Sequence, residues 1–281
     1  MTLAVGEVLR RSTAYLEGRG SPTPRLDAEL LLAHALGLTR VELYTHHDRP
    51  LTEAETAACR ELVRRRGERE PVAYVTGRRG FRRLDLAVDA RVLVPRPETE
   101  LVVERCLALV AGVPAPAVLD VGTGSGAIAL AIAQEHPGAR VVASDVSAAA
   151  LAVVEANADR AGLEVELAES DLFAALAGRS FDLIVSNPPY VAAGELDSLE
   201  PEVAVHEPRL ATVAGPDGRE VYRRLLPEAG AHLVPGGHLV LECGAGQAPW
   251  LRDQLAGLGY GCLDVQCDLS GIERVVSGRW R

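Results

Sequence analysis

The 281-residue chain carries 29 basic and 39 acidic side chains for a formal net charge of −10, with 48% hydrophobic and 24% charged residues. These are the proportions of a soluble globular protein with core enough for one large or two ordinary domains. No apolar run reaches the length of a membrane span, and Glu7, Arg10 and Arg11 interrupt any signal-peptide pattern, so no membrane partner is expected.

All 29 basic residues are arginine, a compositional bias of the source. Charge is unevenly divided: residues 1–75 hold 11 arginines and 11 acids, whereas residues 76–281 hold 18 arginines and 28 acids. A duplex-binding enzyme needs a basic face for phosphates, so nucleic acid is not expected as a direct partner of the second part. The five cysteines (Cys59, Cys106, Cys243, Cys262, Cys267) show no Cys-x-x-Cys spacing, and their odd number points to buried, reduced thiols in a cytoplasm. No histidine cluster has metal-ligand spacing, and the adjacent His46 and His47 read as surface residues, so no metal is expected.

In chain order, residues 1–70 read as helices. Leu26, Leu30, Leu31 and Leu36 recur near helical spacing, with Gly37 as a stop. Thr52 opens a second helix that ends in Arg64-Arg65-Arg66, expected as a solvated C-terminus, with a partner-docking face as the alternative. Two short strands, Pro71–Gly77 and Leu84–Asp89, are expected to form a hairpin between domains. Pro97, Glu98 and Glu100 suit the first turn of a helix running to about Val110.

From Ala117 strands and helices alternate, the signature of a parallel α/β sheet. The strand Ala117–Val121 leads through Gly122-Thr123-Gly124-Ser125-Gly126 into a helix, and the strand Arg140–Asp145 ends in an acid 19 residues after Gly126. Two C-terminal strands complete about seven. A glycine-rich strand-to-helix turn lets a ligand approach the backbone and opens a helix whose free N–H groups favour an anionic group. Asp145 at the next strand tip can accept from ribose hydroxyls. The pattern also fits a dinucleotide fingerprint, so NAD competes at this point. Asp120, two residues before the first glycine, is expected to face a cationic head group, which favours S-adenosylmethionine, with its ammonium and sulfonium, over a pyrophosphate.

The strand Phe181–Val185 runs into Ser186-Asn187-Pro188-Pro189-Tyr190. Consecutive prolines end the strand and stiffen an extended loop. They carry no N–H, so the loop offers mainly acceptors, beside the ring of Tyr190. A rigid, acceptor-lined cup of this kind suits a planar group bearing an NH2.

With these residues in hand the chain resembles the release-factor glutamine methyltransferases, the PrmC/HemK family. The resemblance runs through Tyr74–Gly77, Phe81, Val94–Glu100, Asp120–Gly126, Asp145–Ser147, Ser170–Phe173, Asn187–Tyr190, Glu207-Pro208 and Asp217-Gly218. Ala214-Gly215-Pro216 departs from the family's usual Gly-Gly pair, and the N-terminal helical region matches less well. The resemblance implies a seven-stranded, Rossmann-like class I methyltransferase with a small helical N-terminal domain joined by a β-hairpin. The expected domains are residues 1–72, recognising the release factor, 73–97 as hairpin linker, and 98–281 as the S-adenosylmethionine-dependent unit. It also implies methylation of the side-chain amide of the glutamine in a Gly-Gly-Gln motif of peptide chain release factors. Gly122, Thr123, Gly124, Ser125, Gly126, Asp145, Asp171, Leu172 and Asn187 would contact the cofactor together with Asp120. Asn187, Pro188, Pro189 and Tyr190 would hold the glutamine. The competing expectation is an adenine-amine methyltransferase, whose planar NH2 suits the same loop.

Overall fold

The computed structural model describes residues 3–281 and divides the chain into two compact units. The first comprises residues up to Arg78 together with Glu200–His206, and the second comprises Arg79–Leu199 and Glu207–Arg281.

The first unit is helical: α1 (Val5–Gly18), α2 (Pro24–Leu36), α3 (Arg40–Thr45), α4 (Glu53–Gly67) and α5 (Val72–Thr76). Its helix ends follow local chemistry. Thr39 with Glu42, and Thr52 with Glu55, form capping boxes that satisfy N-terminal amides reciprocally. Gly37 ends α2 in the left-handed conformation, with φ of 63°. The core face of α2 is Ala28, Leu31 and Leu32, while Leu26 and Leu30 are exposed. Periodicity found the helix but not its inward face.

Two expectations are corrected in this unit. The stretch Pro71–Gly77 is not a strand: Val72–Thr76 is one short helix that Gly77 closes with φ of 71°. Pro71 presets its entry, and the β-prone valines fill the core from a helix instead of a strand. Nor is Arg66 a solvated helix end. It is 4% exposed, and its guanidinium meets Asp27 at 2.6 Å and Glu202 at 2.5 Å. Arg64, by contrast, is an exposed partner of Glu61 and Glu68. The segment Glu200–His206 completes this unit because Glu202 also pairs with Arg69, at 2.6 Å.

A two-stranded hairpin follows, β1 (Arg78–Phe81) and β2 (Leu84–Ala87), all of it but Arg78 in the second unit. There follow α6 (Thr99–Val110), β3 (Ala117–Val121), α7 (Ala127–Glu135), β4 (Arg140–Asp145), α8 (Ala148–Ala161), β5 (Glu166–Glu169) and β6 (Phe181–Ser186). The chain continues through α9 (Arg209–Thr212), α10 (Glu220–Ala229), β7 (Leu233–Glu242), α11 (Ala248–Gly257), β8 (Gly261–Cys267) and β9 (Glu273–Arg279).

The seven-stranded sheet has the order β5-β4-β3-β6-β7-β9-β8. The first five strands are parallel, and β9 inserts antiparallel between β7 and β8, so the seven expected strands form a mixed sheet. Alternation along the strands sorts the faces: Leu119, Val121, Ile184, Leu239 and Leu241 pack with Tyr222 of α10 and Leu251 of α11. Of the cysteines, Cys59, Cys106 and Cys243 are buried, whereas Cys262 and Cys267 are exposed, which corrects the expectation for those two.

Candidate active site

The strand order reverses between β3 and β6, so the chain leaves these neighbours in opposite directions and opens a crevice at their carboxyl ends. A cavity of about 450 Å³ occupies it, within the range of small-molecule sites. Its wall brings together Gly122, Thr123, Gly124 and Ser125 after β3, Asp145 after β4, Asp171 and Leu172 after β5, and Asn187, Pro188 and Pro189 after β6.

The glycine loop is folded by its own hydrogen bonds. Gly122 and Thr123 donate to the Ser144 carbonyl at 2.8 and 2.9 Å, and Gly126 donates to Thr123 at 2.9 Å. Gly124 donates to Asp145 Oδ2 at 3.0 Å. The loop is therefore a preformed shape more than a nest of free donors. Its glycines do different jobs. A Cβ on Gly122 or Gly124 would meet nothing within 4 Å, so their bare Cα atoms face open space. At Gly126 a Cβ would stand 2.9 Å from Val154 Cγ1, so this glycine permits the close approach of α7 and α8. Asp145 also accepts the Ser147 N–H at 2.9 Å, which aims its carboxylate along the wall. Leu172 holds a left-handed backbone with φ of 51°, and Ser170 Oγ donates to its carbonyl at 2.9 Å.

Asp120 does not line the cavity. It is 1% exposed beneath the loop, where Oδ2 accepts the Thr123 hydroxyl at 2.7 Å and the Ala129 N–H at 3.1 Å. Period-two alternation on β3 turns it away from Val121, toward the start of α7. Burial raises its pKa to about 7, and the Asp145 charge pushes the same way. Its structural part is to brace the glycine loop.

Tyr190 also lies off the cavity wall. Its ring packs against the core beside Gly244, its carbonyl accepts from Gln247 Nε2 at 3.0 Å, and burial raises its hydroxyl pKa. Asp171 reaches the cavity but pairs with Arg224 at 2.7 Å.

Several residues of the site lie outside the site residues expected from the sequence. Asn157 of α8 is 2% exposed, donates to the Ser125 carbonyl at 2.9 Å, and exchanges hydrogen bonds with the Ala87 backbone of β2. Ser186 Oγ donates to the Val121 carbonyl at 2.7 Å and closes the crevice floor. Arg96 lines the cavity and pairs with the buried Glu207 at 2.6 Å. Thr99 opens α6, and its hydroxyl accepts from Asn187 Nδ2 at 3.3 Å. Beside them Glu242, the last residue of β7, is 1% exposed. Arg96, Thr99 and Ser186 lie in stretches already singled out in the sequence, Val94–Glu100 and Ser186–Tyr190, but their places in the site, like those of Asn157 and Glu242, are set by their partners.

The chain matches two family models, the PrmC N-terminal domain over residues 7–77 and the methyltransferase small domain over residues 99–205. It is 46% identical over 276 residues to a release factor glutamine methyltransferase of Geobacter sulfurreducens, covering 98% of this chain and 96% of that one. A protein of the same description from Deinococcus radiodurans is 42% identical over 273 residues, with 97% of each chain covered. Among solved structures, the Thermus thermophilus 16S rRNA N2 G1207 methyltransferase in complex with AdoMet and guanosine shares 21% identity. It superposes with a TM-score of 0.53 over 73% of this chain and 50% of that one, a likeness of fold.

Proposed function

The chain belongs to the release factor glutamine methyltransferase family, and on that premise we propose that it methylates the side-chain amide nitrogen of the glutamine in the Gly-Gly-Gln motif of peptide chain release factors. The observation that carries this is the convergence on one cavity of the glycine loop, the Asp145 carboxylate and the stiff Asn187-Pro188-Pro189 turn. The adenine-amine alternative is not favoured by relatives of nearly full length.

The cavity's donor set fits S-adenosylmethionine. Asp145 keeps lone pairs for the ribose hydroxyls, Leu172 and Ile128 give apolar wall, and the bare Gly122 and Gly124 leave room for the ligand against the backbone. Bound there, the cofactor supplies an electrophilic methyl group on a sulfonium. The remaining task falls to the chain's own residues.

An amide nitrogen is a weak nucleophile because its lone pair is delocalised into the carbonyl. Asn187 Oδ1 and the Pro188 carbonyl would accept the two amide hydrogens and aim the nitrogen into the cavity. Those hydrogen bonds strengthen as positive charge develops on nitrogen, so they favour the transition state over the bound substrate. Orientation of this kind is worth roughly 7–11 kcal/mol in intramolecular models. An alkylated amide nitrogen is acidic and passes its proton to solvent without a dedicated base. Tyr190, braced by Gln247, sets the position of the turn from behind.

The helical residues 1–72 would recognise the release factor, with 73–97 as linker and 98–281 as the catalytic part, in a cytoplasmic enzyme. Among the described residues no helix is long and apolar enough to cross a membrane. The test is incubation with labelled methyl donor and either release factor or DNA. Label is expected on the glutamine of the release factor and none on DNA, and label on DNA alone would overturn the assignment.

A further inference from the structure

The Asn187 carboxamide can present either its oxygen or its NH2 to the cavity, and the two orientations differ by a simple flip. Only one of them offers an acceptor to a substrate amide, so something must hold it. The sheet supplies a candidate. Strands β6 and β7 pair in parallel with Ser186 opposite Leu241, which brings Asn187 and Glu242, each one residue further on, to the same level. Thr99 of α6 meets them there, with its hydroxyl 3.3 Å from Asn187 Nδ2. Thr99 is 4% and Glu242 1% exposed, and Glu242 Oε2 has no hydrogen-bond partner among the described residues.

Resting on the function proposed above, we propose that Glu242 is a positioning residue which, with Thr99, draws the NH2 edge of Asn187 inward and so turns its oxygen toward the substrate amide. Glu242 touches neither substrate nor cofactor in this role and acts only through Asn187. An ionised carboxylate only accepts, and it can take hydrogens from Thr99 and Asn187 together. A protonated carboxyl keeps one acceptor oxygen but donates through the other, so it can no longer take hydrogens from Thr99 and Asn187 at both oxygens, and its hold on the NH2 weakens.

The charge state is therefore part of the device. Burial raises the Glu242 pKa to about 7, opposed by hydrogen bonding from Thr99, by Arg274 of β9 and by Asn187, and reinforced by Glu98 ahead of α6. The other titratable groups facing it are Tyr190 after β6, Tyr222 of α10, whose hydroxyl donates to the Glu242 carbonyl at 2.7 Å, and the neighbouring Cys243.

The experiment compares wild type, Glu242→Gln and Thr99→Val by steady-state kinetics on release factor between pH 5.5 and 9. Calorimetry of S-adenosylmethionine binding and the side-chain amide NMR signals of Asn187 in the cofactor-free protein are measured alongside. In wild type, kcat should fall on the acid side with an apparent pKa near 7, and the Asn187 signals should move over the same range. Glu242→Gln should lower kcat at pH 8 at least tenfold and abolish both titrations, with KM and cofactor affinity changed less than threefold. Thr99→Val should lower kcat severalfold, and it stands in if Glu242→Gln does not fold. Asn187 signals insensitive to pH in wild type, or full kcat in either folded variant, would overturn the proposal. Those signals are read without substrate, so a wild type inactive on release factor would instead overturn the function proposed above.

Discussion

The Asp145 carboxylate accepts the Gly124 backbone N–H at 3.0 Å, tying the tip of one strand to the middle of the loop that leaves its neighbour. One acid thus shapes the glycine loop while its remaining lone pairs face the cavity. Asp145→Ala is expected to weaken S-adenosylmethionine binding at least tenfold by calorimetry, because both the loop shape and the acceptors are lost. Unaltered affinity would remove Asp145 from the cofactor site.

Asn187→Ala should abolish methyl transfer to release factor while leaving cofactor affinity measurable. Calorimetry and a single-turnover assay on the same preparation separate the two. Wild-type turnover in this variant would remove the proposed role of the Asn187 oxygen.

Glycines of one loop should differ under the same substitution. Gly126→Ala places a Cβ 2.9 Å from Val154 Cγ1 at φ of +82° and should destabilise the fold by roughly 1–3 kcal/mol. Gly124→Ala meets no neighbour and should cost only about 1 kcal/mol for its left-handed backbone. Its larger effect should be on cofactor affinity. Denaturant unfolding measures the first pair of numbers and calorimetry the last.

Asp120 makes stability depend on pH in a direction opposite to that of a salt-bridged acid. Its folded pKa of about 7 lies above the ordinary value of 3.8, so the fold prefers the protonated form. Its contribution is fully favourable below about pH 4, declines as pH rises toward about 7, and is flat above that. Asp120→Asn, which keeps an oxygen for Thr123 and Ala129, should remove this slope. Its advantage over wild type should grow across that interval to on the order of 4 kcal/mol. Urea unfolding from pH 4 to 8 checks it, and parallel curves would refute the assignment.

Arg66 and Arg64 are two residues apart and should behave unlike one another. Arg66→Ala leaves Asp27 without its buried counter-charge and Glu202 with Arg69 alone, and should cost about 3–5 kcal/mol. Arg64→Ala removes exposed, solvent-screened pairs and should leave stability nearly unchanged. Equal losses by chemical denaturation would contradict the burial of Arg66.

What the sequence alone determined about this protein is the part written in near neighbours. Gly122 to Gly126 after an apolar strand, an acid at Asp145, and Pro188-Pro189 at a strand end are constraints a chain imposes on itself within a few residues, through backbone freedom and its loss. Capping residues such as Thr52 are legible for the same reason. Tertiary structure alone decided the rest. It made a helix of Val72–Thr76, buried Arg66, turned Asp120 under the loop, and set Glu242 beside Asn187. Each of those outcomes depends on register and burial against segments tens of residues away, where long-range packing overrides local preference.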